Sequence, residues 1–313
     1  MQCCLPPVDR NYWSSQVLSN DTCGNPYEVV VSNSVKIPKN MGDTLNIIIY
    51  KDEGELFEKL KCCQPAPTCE LDRYVIQARA RQFICKYCIC DEIVLHDRDD
   101  AVLSRYADFG AKKLQRTQKR ILKELIVSLA SSVDAVYGTN KKDPTNFSER
   151  DHLDIIQEIS KDCAEPFFQG VCGKTTQGST PLPPSYLVIT HTDLYQDISK
   201  AFGCKWWGVE SYANCSGCQI DMEWGYGERA RFIFTPDAPT EKNDAGDTVY
   251  TVSYFAADPI WGVDLEGRDD LVVLKPKILS DADDCYQMLI KGVTGYVIPL
   301  ENRIINLKVT RDL

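Results

Sequence analysis

Two long stretches govern what this chain can fold into. Over residues 99–136, apolar or small residues recur at Leu103, Tyr106, Gly110, Leu114, Thr117, Ile121, Leu125, Leu129, Val133 and Val136. Steps of three and four place them on one helix face. Asp97, Asp99 and Asp100 suit the positive N-terminal end, and Gly138 suits the stop. At 1.5 Å per residue such a helix is about 55 Å long, where an average helix has three or four turns. Just before it, residues 74–95 hold neither Gly nor Pro, and Val75, Ile76, Phe83, Ile84, Tyr87, Ile89, Ile93 and Val94 give them strand character. Fully extended, that run spans about 70 Å, far more than a typical strand. A chain of 313 residues shelters elements of this length only if it is elongated or if other subunits cover them. A coiled coil is the alternative for the helix, but no second segment offers it a partner.

The remaining segments are shorter. Residues 1–27 carry Pro6, Pro7, Gly24 and Pro26 with little periodicity, and read as an extended arm with no core of its own. Strands are expected at 28–31, 35–38 and 44–50. Residues 51–72 break the pattern with Gly54, Pro65 and Pro67, and carry Cys62, Cys63 and Cys69. Ser148-Glu149-Arg150-Asp151 resembles a capping box, opening a second helix with Leu153, Ile156, Ile159 and Cys163 on its buried face. Residues 169–184 are rich in Gly, Thr, Ser and Pro and read as a mobile loop. A strand at 186–190, a helix at 193–202 closed by Gly203, and an irregular region at 204–230 follow. Further strands are expected at 232–234, 248–256, 271–274 and 295–309.

Charge narrows the function. Lys plus Arg number 35 and Asp plus Glu 45, a net −10, which argues against a dedicated nucleic-acid binder with a basic, counterion-releasing surface. No apolar run approaches the roughly 20 residues of a membrane helix, and the first residues lack the basic and apolar regions of a secretory signal. The expected compartment is therefore reducing, with cysteines as thiols. There are 15 cysteines, an odd number that precludes complete intramolecular pairing.

Several chemical motifs are present in part. Gly225-Tyr226-Gly227-Glu228-Arg229-Ala230 matches the dinucleotide fingerprint formally. That motif works only between a buried strand and a helix; no buried strand is expected before it and β-structure follows, so a turn is the better reading. Of His96, His152 and His191, only His191 lies just past a strand. With Asp193 and a distant thiol it outlines a thiol hydrolase, but it also suits an ordinary cap. Cys85, Cys88, Cys215 and Cys218 form two Cys-x-x-Cys pairs, the raw material of a zinc site. They are separated by 126 residues (215 − 88 − 1), where zinc ribbons use roughly 15–20, and strand alternation splays Cys85 from Cys88. Metal, buried thiols and disulfides all remain open readings. Arg105, Lys112, Lys113, Arg116, Lys119, Arg120 and Lys123 make the long helix basic, either as a solvated face or as a stripe toward phosphates or an acidic neighbour.

Taken in order, the parts resemble the major capsid proteins of tailed bacteriophages, which share the Hong Kong 97-type (Johnson) fold. Val35-Lys36-Ile37-Pro38 with Gly42-Asp43-Thr44-Leu45-Asn46-Ile47 looks like the lead-in to that family's extended loop. Residues 74–95 look like its returning limb, and 99–136 like the spine helix. Tyr186-Leu187-Val188-Ile189-Thr190-His191-Thr192-Asp193-Leu194 resembles the strand and helix of the axial domain, and 295–304 the terminal β segment. The resemblance implies an α+β chain with an N-terminal arm (1–43), an extended β loop (44–96), a peripheral domain with the spine helix (97–150), an axial domain (151–265) and a C-terminal return to the peripheral domain (266–313). It implies a structural protein without catalysis or cofactor, forming hexamers and pentamers of an icosahedral shell around double-stranded DNA. The shell would assemble in the host cytoplasm, become part of the virion, avoid membranes, and hold DNA non-specifically within an acidic lining. Decoration, scaffolding and portal proteins are the further partners implied. On this reading Cys62, Cys63 and Cys69, at the loop tip, would staple subunits by oxidation after release. A thiol- or zinc-dependent cytoplasmic enzyme, and another virion component such as a tail or scaffold protein, are the competing readings.

Overall fold

The computed structural model describes residues 25–38, 42–51, 72–90, 101–132, 146–161, 164–168, 183–209, 222–243, 246–266, 271–278 and 285–311. In chain order the elements are β1 (Val31–Ile37), β2 (Thr44–Lys51), β3 (Asp72–Arg79), β4 (Arg81–Cys90), α1 (Ala101–Ser132), α2 (Glu149–Lys161), β5 (Tyr186–Thr190), α3 (Tyr195–Phe202), β6 (Trp207–Gly208), β7 (Glu223–Gly227), β8 (Ala230–Phe234), β9 (Thr240–Lys242), β10 (Thr248–Phe255), β11 (Ile260–Leu265), β12 (Leu271–Ile278), β13 (Cys285–Thr294), β14 (Tyr296–Val297) and β15 (Ile304–Val309).

A seven-stranded sheet runs β15-β10-β5-β8-β7-β6, with β9 on β10. Its centre, β5, is buried at all five positions, as a strand covered on both faces must be. Val188 joins one core with Phe232, Phe234, Tyr254, Leu307 and the inner faces of α2 and α3. Its neighbours Leu187 and Ile189 join another with Ile233, Phe255, Leu122 and Ile126 of α1, and Tyr27 and Val30. Tyr27 is fully buried. The segment 1–27, expected to lack any core, thus contributes an anchor at its last residue.

The long helix forms as expected, from Ala101 to Ser132, or about 48 Å at 1.5 Å per residue. Its contact face is as expected at Gly110 and Leu114, which meet Ile290 and Gly292, and shifts further along, where Leu125 is only partly buried. Leu122 and Ile126 are fully buried, not Ile121 and Leu125. Gly110 against Ile290 and then Leu122 and Ile126 are spaced in fours, and 3.6 residues per turn swing the stripe round by that point. Asn306 Nδ2 locks the arrangement by donating to the Ile126 carbonyl at 2.9 Å.

Where an unbroken strand was expected over 74–95, the described residues form two strands, and 91–95 lie outside them. β3 pairs antiparallel with β2 in a hairpin, whereas β4 forms the edge of the sheet β12-β13-β4. The change of partner is at buried Ala80: its N–H still donates to the carbonyl of Asp43, the residue opposite it in the β2–β3 register, at 2.9 Å, and the next residue, Arg81, pairs with Thr294 of β13. Ile37, Ala78, Ala80, Val263, Val293 and Val297 fill this joint, next to the third sheet, β1-β11-β14. Similarly, the run expected as strand over 295–309 is β14 and β15, in different sheets, and the region read as irregular contains β6 and β7. Gly295 sits at the joint because a Cβ there would lie 2.2 Å from the Arg79 carbonyl oxygen. Gly295→Ala should therefore cost about 1–3 kcal/mol, read as a lower urea midpoint at unchanged slope.

α2 opens on a cap: Ser148 Oγ accepts from the Asp151 amide at 3.2 Å and donates to its carboxylate at 2.6 Å. Its buried face is His152, Ile155, Ile156 and Ile159. Leu153, expected inside, is 42% exposed, and Cys163 lies outside the described residues. His152 is wholly buried among Phe202, Phe232 and Tyr254. Nε2 lies 2.9 Å from the Glu228 carbonyl and Nδ1 3.0 Å from the Tyr254 hydroxyl. Nε2–H can only donate to that carbonyl, so Nδ1 accepts from Tyr254.

Burial lowers the His152 pKa from 6.5 to about 4, against the opposing pull of the Glu228 carbonyl and the Glu228 and Glu149 charges. The folded chain thus binds fewer protons there than the unfolded one. Its stability is complete above pH 6.5 and is lost as pH falls toward 4. Between pH 7 and pH 5 this histidine alone should remove about 2 kcal/mol. Urea titrations of the wild-type chain and of His152→Gln, run at both pH values, should show the excess loss only in the wild type.

Candidate assembly surfaces

The hairpin of β2 and β3 pairs all eight positions without a shift. Its two faces follow from strand alternation. Leu45, Ile47 and Ile76 turn toward the joint core, and Tyr74 donates to the Pro299 carbonyl at 2.8 Å. At the base, Arg79 Nε lies 3.0 Å from an Asp43 carboxylate oxygen, and bonding to Arg79 and then Thr44 lowers the Asp43 pKa. The opposite face carries a directly paired Ile48 and Val75, 50% and 57% exposed. Asn46 and Gln77 flank them as the next exposed pair on that face. A two-stranded ribbon with an open apolar face is marginal by itself.

Other apolar groups stand out on separate sheets. Ile84 on edge strand β4 is 61% exposed, and Trp224 and Trp207 project from the β7 and β6 end of the large sheet. Small residues hold this end close to its helix. A Cβ on Gly225 would lie 2.4 Å from the Trp206 ring and one on Gly227 2.9 Å from Phe202. The formal dinucleotide fingerprint is therefore a hairpin turn, with Glu228 and Arg229 at φ 35° and 67°. β8 follows where a helix would be required, and aromatic rings occupy the glycine faces. A buried strand does precede the motif, contrary to expectation: β7, whose closing residues Gly225, Tyr226 and Gly227 are buried.

The basic helix face is partly neutralised within the chain. Lys119 pairs with Asp237, Arg120 lies 3.7 Å from Glu124, and Lys113 sits 4.7 Å above the Tyr87 ring and 3.9 Å from Cys85 Sγ. Arg105 belongs to the part of α1 whose side chains are not described.

His191 caps the turn before α3, its Nδ1 accepting from the Asp193 amide at 3.2 Å. Asp193 in turn accepts from the Tyr250 hydroxyl at 3.0 Å. These bonds position backbone. The described free thiols are Cys85, on β4, and exposed Cys204. Cys85 and Cys88 occupy positions of opposite parity on β4, and Cys62, Cys63, Cys69, Cys215 and Cys218 lie outside the described residues. Among the described residues no three His, Cys, Asp or Glu gather as a metal site would require. His96 and residues 169–182 of the loop expected at 169–184 are likewise outside them. The sequence reading passed over His152, whose spacing with Ile155, Ile156 and Ile159 marks it as a core position.

No family model matches the sequence, and no curated protein matches it. Solved structures do. The capsid of Ralstonia phage GP4 superposes with a TM-score of 0.64 at 10% identity, over 98% of this chain and 96% of that one. The capsid of cyanophage P-SCSP1u gives 0.59 at 10% identity over 96% and 92%. The SrpI encapsulin of Synechococcus elongatus PCC 7942 gives 0.56 at 11% identity over 91% and 88%. At such identities the likeness is one of architecture, and it runs almost from end to end. The chain has the α+β, Hong Kong 97-like fold of these capsid proteins.

Proposed function

We propose that this chain is the major capsid protein of a tailed bacteriophage, assembling with copies of itself into a closed icosahedral shell around double-stranded DNA and catalysing nothing. The observation that carries the proposal is the match to the Ralstonia phage GP4 capsid over nearly the full length of both chains. The open Ile48–Val75 face supports it, because an apolar ribbon is stabilised when a neighbouring copy covers it. In this reading 44–96 contains the extended loop, α1 is the spine helix and the seven-stranded sheet is the axial domain. Hexamers and pentamers follow from repeating one heterologous contact around symmetry axes. The net charge of −10 suits a lining that releases its DNA. Scaffolding, portal and decoration proteins would be its partners, and the host cytoplasm its place of assembly.

The encapsulin match favours one second reading, a shell that encloses something other than a genome. Expression of the chain followed by negative-stain electron microscopy tests both. Closed particles are expected; monomers would overturn both readings, and tubes would favour another virion component. Particles from phage-producing cells should contain nuclease-protected DNA. Empty particles there would favour the second reading.

A further inference from the structure

We propose that Cys90 and Cys285 form an intrachain disulfide that fastens edge strand β4 to β13. This does not depend on the shell reading. β4 and β13 pair over ten consecutive positions without a shift, from Thr294 opposite Arg81 to Cys285 opposite Cys90. Directly opposed residues of an antiparallel ladder have Cα atoms about 4.5 or 5.5 Å apart, depending on the hydrogen-bonding of the pair. Both values fall within the roughly 4.4–6.8 Å that a disulfide spans. The pair closes the ladder: Cys90 is the last residue of β4 and Cys285 the first of β13.

The competing partners are less well placed. Cys85 is an odd number of positions from Cys90, hence on the other sheet face, where it meets Lys113 at 3.9 Å. Cys88 shares the parity of Cys90 but opposes Gln287. Its diagonal to Cys285 is about 7–8 Å, beyond disulfide reach. The two strands are far apart in sequence, so the register brings the two backbone positions opposite each other only in the folded chain.

The oxidant is a small disulfide, R–S–S–R. One cysteine thiolate attacks it, forms a mixed disulfide and releases R–S⁻. The second cysteine thiolate then attacks the protein sulfur of that intermediate and releases the other R–S⁻. The S–S bond of the small molecule breaks, the Cys90–Cys285 bond forms, and the two cysteine protons end on two R–SH.

The test is to incubate the native full-length chain with oxidised glutathione, block remaining thiols with N-ethylmaleimide, and digest with trypsin without reduction. The peptides 87–98 and 278–291 should be recovered joined, with fragment ions placing the bond on Cys90 and not Cys88. Cys90→Ser and Cys285→Ser should each abolish the joined peptide, and a chain with Cys62, Cys63 and Cys69 all replaced by Ser should keep it. Recovery of Cys90 and Cys285 both alkylated after oxidation of the wild-type chain would overturn the proposal, as would either one joined to a different cysteine. The wild-type result decides the matter even if a variant fails to fold.

Discussion

Replacing Ile48 by Asp should abolish particle formation while leaving the subunit folded. Ile48 faces Val75 across the β2–β3 ladder, and both are at least half exposed. Neither belongs to a described core cluster, so a polar residue there should cost the isolated chain within about 0.5 kcal/mol. In a shell the same face would lie against another copy. There the carboxylate would be buried without a partner, at several kcal/mol per contact, repeated at every copy. Sedimentation should show at least a ten-fold loss of large particles, with the circular dichroism and urea midpoint of the remaining subunit unchanged. Asn46→Asp, on the same face but not at the apolar pair, should assemble better than Ile48→Asp. Normal particles from Ile48→Asp would mean that this face stays in solvent after assembly.

How much of this could be read beforehand depended on whether the signal was local. The long helix was legible because thirty-odd residues repeat one period. Even so, its face was displaced by one position at Leu122 and Ile126, since a step list does not say which neighbour the helix meets. The break at Ala80 was invisible: no Gly or Pro marks it. It follows from residues remote in sequence: Thr294 of β13, which takes over as partner at Arg81, and Gly295, which leaves room for the Arg79 carbonyl. β11, which joins β1 in parallel, was missed for the same reason. His152 looked polar, yet its two ring nitrogens are satisfied by groups from β10 and the β7–β8 turn. Conversely, His191 and the glycine-rich turn looked chemical, and neighbouring backbone and aromatic rings account for them. The apolar face of β2 was present in the sequence as Ile47-Ile48-Ile49. Only the register with β3 shows that its middle residue points away from the core.

The largest stability effect is expected at a buried ion pair on the large sheet. Arg231 of β8 and Glu223 of β7 are 3% and 4% exposed. Arg231 Nε donates to Glu223 Oε1 at 2.7 Å, and a second guanidinium nitrogen pairs with Oε2, the two-pronged geometry that suits burial. The guanidinium also lies 4.4 Å from the centre of the Phe168 ring. Arg231→Leu removes both prongs and leaves a carboxylate at a position with almost no access to water. The loss should be about 3–5 kcal/mol, a large share of the stability of an ordinary domain. Replacing both residues by Leu and Met should recover most of it, because desolvation of two charges offsets much of what their attraction supplies. Urea unfolding of the unassembled chain measures both changes. If Arg231→Leu were as costly alone as in combination with Glu223→Met, the loss would come from the packing of Arg231 on Phe168 and not from the broken ion pair.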